Sequence, residues 1–241
     1  MTWVTNYYKS PGPDEIVEAI NVTFRWAELK NAPPNARVLP VMFYGKIMEA
    51  NPDKIENWMA ELKTLPDKNY EQVCNAVRYS GTDVGMAWLK ANGHEEIANY
   101  QVPAMLDDAN PCLPIHFDEL CQWFFATGEK EPIAKITFFL EFADKMPPAD
   151  NLDLLSPPEK PSQEKLKLNP MTLYQVRLSN FQMASPAIRS IISVASKHPR
   201  MQQHLQALAG TSKKPKVNAW IERILKVIES QKAKHSPTGK Q

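Results

Sequence analysis

The fold is decided most clearly by one stretch near the carboxyl end, residues 215–232, which reads PKVNAWIERILKVIESQK. Its apolar residues recur at intervals of three and four positions: Val217, Trp220, Ile221, Ile224, Leu225 and Ile228. This spacing places them along one side of an α-helix, whereas a half-buried strand would need strict alternation. The stretch therefore predicts an amphipathic helix that packs on the protein through Trp220, Ile224 and Leu225.

The same apolar spacing recurs along most of the 241-residue chain, and sustained strand-like alternation is hard to find. A further instance consists of Val84, Ala87, Trp88 and Ala91. Prolines such as Pro186 mark expected helix starts, and Gly81, Gly93, Gly128 and Gly210 follow expected helix ends. The predicted helices run near 13–30, 38–50, 52–64, 67–80, 83–92, 94–100, 115–127, 131–146, 170–184, 186–197, 199–209 and 215–232. Their short connections favour an all-α fold of stacked antiparallel helical hairpins in two parts.

Four tryptophans, Trp26, Trp58, Trp88 and Trp123, are separated by 32, 30 and 35 residues. This spacing is similar to the period of helix-pair repeats, in which each unit buries its apolar face against its neighbour. The alternative is that the four residues fall independently on the buried sides of helices. A repeat-like arrangement of the hairpins therefore stays open beside an ordinary helical core.

Charge and proline content divide the chain into parts. Residues 1–164 contain 25 acidic and 14 basic residues, a net charge of −11, whereas residues 165–241 contain 2 acidic and 14 basic residues, a net charge of +12. Residues 147–170 hold six prolines and no glycine, which is typical of a semi-rigid linker. The predicted parts are an acidic helical part at 1–146, a proline-rich linker at 147–169, a basic helical part at 170–232 and a disordered tail at 233–241.

Few residues point to catalysis or to metal binding. The chain lacks the short motifs typical of phosphate loops, dinucleotide sites, zinc proteases and serine hydrolases. Cys112, His116 and Cys121 come nearest to a metal site, with His94 or Asp118 as a possible fourth ligand. Zinc needs four converging ligands, usually with paired short spacings, and His116 is expected at a helix start, where its side chain caps the helix or faces solvent. We therefore assign no catalytic residue, no metal site and no cofactor. The cysteines are expected to be free buried thiols, with a Cys112–Cys121 bridge as the alternative.

Two groups of residues are candidates for binding. Trp3, Tyr7 and Tyr8 precede the first predicted helix, where they either fasten the amino terminus to a groove or form part of a partner-binding surface. The second group consists of cations at the start of the final helix, Lys213, Lys214 and Lys216, together with Arg223 and Lys226, which follow along it. Cations at a helix start oppose the helix dipole, so we expect an acidic protein surface or another polyanion to compensate them.

The function favoured by these features is that of a non-enzymatic protein-interaction or scaffold protein, which binds its partner in a groove between helical hairpins. A protein partner or self-association is favoured over nucleic acid, because no aromatic residues are interleaved with the cations for base stacking. Two alternatives stand beside it: polyanion binding, to nucleic acid or an anionic surface, through the basic carboxyl-terminal part, and a hydrolase without a short motif. No apolar stretch reaches the length of a transmembrane helix.

Short phrases in the first 90 residues resemble those of a known group. They are Asn6-Tyr7-Tyr8, Glu49-Ala50-Asn51-Pro52-Asp53, Trp58, Leu65-Pro66 and Ser80-Gly81-Thr82. On these phrases, residues 5–90 resemble exported bacterial helical proteins of unknown function. The resemblance implies no activity, but it implies a periplasmic or exported location rather than a cytoplasmic one. The chain departs from the group because its opening residues do not have the pattern of a signal segment.

Limited proteolysis is expected to cut first within residues 147–170, because the prolines prevent a regular helix and the segment is longer than an ordinary connection. Denaturing electrophoresis of successive time points should show fragments of about 150 and about 75 residues. First cleavage inside residues 40–130 would contradict the predicted boundary.

Overall fold

The computed structural model describes residues 2–25, 34–100, 114–145, 170–211 and 213–235. Within these ranges the regular elements are helices and no strand occurs, so the all-α prediction is confirmed. No helix within them combines the length and the apolar character that crossing a membrane requires. Trp26 lies outside the described residues, and the stacking of hairpins into a repeat stays a prediction.

The chain forms two compact units. The first contains Met1–Ala109 and Asp118–Glu129, and the second contains Asn110–Phe117 and Lys130–Gln241. The first unit holds α1 (Thr2–Asn6), α2 (Ile16–Arg25), α3 (Pro34–Ala50), α4 (Ile55–Leu62), α5 (Asp67–Tyr79), α6 (Asp83–Ala91) and α7 (Glu95–Asn99). The next helix, α8 (Pro114–Thr127), begins in the second unit and ends in the first. The second unit holds α9 (Glu131–Ile136), which continues as a 3₁₀ segment (Thr137–Lys145), and then α10 (Pro170–Lys197), α11 (Pro199–Ala209) and α12 (Pro215–His235).

Helix α3 is the central helix of the first unit, because it is apolar on nearly every side. Its buried residues are Val41, Met42, Phe43, Tyr44, Ile47 and Met48. A helix with apolar residues all round is stable only when other elements cover it. Helix α5 crosses it closely at Gly45, where a methyl group would lie 2.9 Å from Tyr79 Cβ and 3.1 Å from the Ala76 carbonyl oxygen.

The core of the second unit is formed by residues 131–145 together with α10, α11 and α12. As the sequence predicts, Trp220 and Ile224 of α12 are buried, whereas Leu225 is half-buried. Ile136, Phe139 and Leu140 bury their side chains completely. These contacts explain why residues 131–145 group with the basic helices and not with the acidic part to which the sequence analysis assigned them.

The ends of the second unit also bear on the predicted boundaries. The proline-rich linker at 147–169 lies outside the described residues. The predicted disordered tail starts at residue 233, but residues 233–235 still belong to α12. Residues 236–241 lie outside the described ranges.

The sequence predicts two helices separated at Pro186, but the structure has one helix, α10, in their place. It is a single helix of 28 residues with Pro186 inside it. Pro186 has no N–H to donate to the carbonyl of Gln182, and both residues are exposed, so water can bind that carbonyl. The buried residues Ile188, Ile191 and Ile192 keep the helix packed beyond the proline. Burial therefore outweighs the local proline signal here.

A Gly45→Ala variant tests the close crossing of α3 and α5. The added methyl group meets the α5 backbone, which cannot move away as a flexible side chain would, so we expect a loss of about 1–3 kcal/mol in the free energy of unfolding. Gly12→Ala is the matched control in the same unit, because its nearest atom would lie 3.8 Å away. Chemical denaturation measures both; a Gly45→Ala variant as stable as the control would contradict the crossing.

Candidate functional site

The residues considered for metal binding do not form a site in the part of the chain that the structure describes. Cys112 lies outside that part, and within it no group of three or more His, Cys, Asp and Glu side chains converges. His116 lies in the first turn of α8, as predicted, and is only 1% exposed, which excludes the solvent-facing alternative. Burial lowers the pKa of this imidazole, which belongs to the packing at the start of α8.

The described cysteines are buried free thiols. Burial raises the pKa of Cys74 to about 12, with a further contribution from the nearby Glu71 carboxylate. Burial also raises the pKa of Cys121, which is a free thiol and not half of a disulfide bridge. Because the thiolate is the nucleophilic form, both residues are poorly suited to covalent catalysis.

The aromatic residues at the amino terminus lie against the core of the first unit. Tyr7 and Tyr8 are 5% and 6% exposed. The Tyr7 ring lies edge-on to Phe43 of α3, with 5.8 Å between ring centroids. Trp3 is half-buried, and its indole nitrogen donates a hydrogen bond of 2.5 Å to the Glu15 carboxylate. Trp3 and Tyr7 fasten the amino terminus to Phe43 of α3, and Tyr8 packs on Phe124 of α8. Tyr7 and Tyr8 retain little surface for a partner.

The cations before α12 and along it as far as Lys226 form a group that we call the basic face: Lys213, Lys214, Lys216, Arg223 and Lys226. At 100° per residue, Lys216, Arg223 and Lys226 fall within an arc of about 80° that begins at the edge of the buried stripe, next to Trp220, and ends opposite the stripe at Lys226. Arg223 is half-buried and the four lysines are exposed. The first turn of α12 contains no acidic residue, so the positive end of the helix dipole adds to the field of the lysines.

Members of the basic face already make contacts within the second unit. Lys214 Nζ lies 2.5 Å from the Glu141 carboxylate and 5.7 Å from the centre of the Phe138 ring. The guanidinium of Arg223 lies 5.4 Å from the centre of the Trp220 ring. Lys214 thus pairs with a carboxylate of its own unit beside an aromatic ring.

The two units carry opposite charge. The first contains 18 acidic and 10 basic residues, a net charge of −8, and the second contains 9 acidic and 18 basic residues, a net charge of +9. This separation persists with the boundary that the structure draws, so it does not depend on the predicted linker. Opposite fields of this kind steer association with charged partners.

The apolar side that the sequence predicts for α6 lies towards the surface and not in the core. Val84 is 51% exposed, Ala87 and Ala91 are exposed, and Trp88 is half-buried. The buried residues are Gly85 and Leu89, on the opposite side of the helix. A methyl group at Gly85 would lie 3.0 Å from Cγ1 of Val77 in α5, so α6 approaches α5 closely at a position without a side chain.

The outward side of α6 lies in an aromatic cluster that the sequence analysis missed. The ring of Trp88 is stacked on His94 at 6.0 Å between centroids, and the ring of Tyr70 lies 5.9 Å from His94. All three residues are half-buried. We call Tyr70, Val84, Trp88 and His94 the aromatic patch. Gly85 was the one signal in the sequence, since a glycine inside a helix marks a side of close approach.

Glu119 of α8 is a half-buried carboxyl next to Asp118 and close to the Tyr79 phenol. Burial, with a smaller contribution from the Asp118 carboxylate, raises the pKa of Glu119 to about 7. Burial and the Glu119 charge in turn raise the pKa of Tyr79. Glu119 therefore gains or loses its proton near neutral pH. Among the described residues, it does not belong to a cluster of His, Cys, Asp and Glu side chains that could hold a metal ion.

Comparison of the chain with known proteins gives no match to a family model, to a curated protein or to a solved structure. The resemblance of residues 5–90 to exported bacterial helical proteins accordingly stays a prediction from the quoted phrases.

A Glu119→Gln variant tests the raised pKa. In the unfolded chain the carboxyl ionises near pH 4.5, whereas in the folded chain it ionises near pH 7. Between these values the unfolded state has fewer bound protons, so Glu119 makes the protein less stable as the pH rises. We expect the variant to be more stable than the wild type at pH 8 and the difference to shrink towards pH 4. Urea denaturation across this range measures it, with the exposed Glu61→Gln as control; a pH-independent difference would contradict the assignment.

Proposed function

We propose that the protein is a non-enzymatic interaction protein that binds an acidic protein surface through the basic face of its second unit. The observation that carries the proposal is the arrangement of three lysines at the start of one helix, with Arg223 and Lys226 further along it, in a unit with 18 basic and 9 acidic residues. The contact between Lys214 and Glu141 supports a carboxylate as the partner group. Such charged surfaces contribute to the association rate and to specificity.

A protein surface is favoured over nucleic acid because of where the aromatic side chains lie. Binding of single-stranded nucleic acid combines cations with exposed rings on which bases stack. The aromatic residue of α12, Trp220, is 6% exposed and packs in the core. The basic face thus offers charge to a partner, whereas the indole ring of α12 is not exposed for stacking. The groove between hairpins stays a prediction, whereas the basic face gives the proposal defined residues.

The non-enzymatic part of the proposal is supported by the reactive groups that the structure describes. Both described thiols have a raised pKa. Glu119 changes protonation near neutral pH, but general acid–base catalysis also needs a substrate position within hydrogen-bond reach and a second group of different pKa. Its nearest carboxyl, Asp118, also has a raised pKa through burial.

The proposal is tested by measuring binding to poly-L-glutamate and to duplex DNA by fluorescence anisotropy at about 50 and about 200 mM salt. A variant with Lys213→Glu, Lys216→Glu and Lys226→Glu should lose at least about tenfold in affinity for poly-L-glutamate. Lys214 is left unchanged because it pairs with Glu141. The matched control carries Lys63→Glu, Lys130→Glu and Lys197→Glu, three exposed lysines elsewhere, and should bind like the wild type.

The outcome that overturns the proposal is equal loss in both variants, since this would show a general charge effect. Micromolar binding to duplex DNA that is tighter than binding to poly-L-glutamate, and that weakens steeply with salt, would instead support polyanion binding to nucleic acid.

A further inference from the structure

The aromatic patch on the first unit has the composition of a docking surface. Trp and Tyr dominate the binding energy of many interfaces, because they bury a large area at a small cost in conformational entropy. Here Trp88 and Tyr70 each contact the ring of His94, and all three residues are half-buried. Val84 extends the apolar surface along α6. An amphipathic helix that keeps its apolar side at the surface indicates a partner.

The charges around the aromatic patch indicate what the partner carries. The exposed charged residues of α5, α6 and α7, each within three positions of a patch residue in the sequence, are Asp67, Lys68, Glu71, Asp83, Lys90, Glu95 and Glu96. Five of these are acidic and two are basic, and the unit as a whole has a net charge of −8. The surface therefore favours a partner that carries positive charge and a small apolar area.

The chain itself contains a surface of this description. The basic face projects exposed lysines from the start of α12 in a unit with a net charge of +9. Cations in this protein already lie over indole rings: Lys46 Nζ is 4.2 Å from the centre of the Trp123 ring, and Arg223 is 5.4 Å from that of Trp220. A lysine over the face of a tryptophan is attracted by the ring quadrupole. Lysines from the basic face and Trp88 are thus chemically matched.

We infer that the aromatic patch is the docking site for the basic face of a second copy of this chain. The inference rests on the proposed function, since it uses the same basic face and names its acidic partner. The contact joins two different surfaces, so each bound pair retains one unused patch and one unused basic face. Association continues from these ends and depends on salt, because the flanking charges are exposed.

The test compares the full-length wild type with two variants by sedimentation velocity at about 50 mM salt. The patch variant carries Val84→Lys and Trp88→Ala, and the basic-face variant carries Lys213→Glu, Lys216→Glu and Lys226→Glu. Each variant alone should lose at least about tenfold in self-association. An equimolar mixture of the two should form a one-to-one complex, because one intact patch then meets one intact basic face. The control with Lys63→Glu, Lys130→Glu and Lys197→Glu should associate like the wild type.

The outcomes separate this inference from the proposed function. A wild type that stays monomeric up to about 100 µM overturns the inference, as does a patch variant that associates like the wild type. In the second case, loss in the basic-face variant alone would leave the proposed function standing. The patch variant should keep wild-type affinity for poly-L-glutamate, since its basic face is intact. Val84→Lys alone, at an exposed position, gives the same test if the double variant does not fold.

Discussion

The close crossing of α3 and α5 at Gly45 is the constraint on which the first unit depends. Helix α3 is apolar nearly all round, so it needs neighbours on every side. At Gly45 the backbone of α5 supplies one neighbour without an intervening side chain. The amino-terminal aromatic residues supply another through Tyr7 and Phe43, and α2 is tied to α3 by the hydroxyls of Thr23 and Tyr44, which lie 2.6 Å apart.

The position of α5 then places the two surface features of this unit. Tyr70 near its start belongs to the aromatic patch, and Tyr79 at its end lies near Glu119. Val77, between them, lies close to Gly85 of α6. Because α6 packs on α5 at Gly85, Val84 and Trp88 lie towards the surface. The patch is thus a consequence of the close packing of α6 on α5 at Gly85. A core that used Trp88 would have left no such surface.

Charge and apolar surface have different roles in the association proposed for this protein. At physiological ionic strength, salt screens the attraction between the first unit of one copy and the second unit of another beyond about 8 Å. The charges therefore set the approach of two copies and the choice of faces, while desolvation of Trp88 and its neighbours holds the contact. Lys214 beside Glu141 and Phe138 shows the same combination of carboxylate, ammonium and ring on a small scale.

The sequence by itself determined the helical class and most helix limits, because proline, glycine and apolar spacing act within one or two turns. Helix α11 spans Pro199–Ala209 as predicted, and Gly81, Gly93 and Gly128 end helices with positive φ. Only the tertiary structure decided which sides are covered. Apolar spacing defines a side of a helix but not its neighbour: the stripe of α12 is buried, whereas that of α6 is exposed. Likewise, α10 continues past Pro186 because Ile188 and Ile191 are buried. Their contacts with other segments outweigh the cost of about 3 kcal/mol of a proline inside a helix.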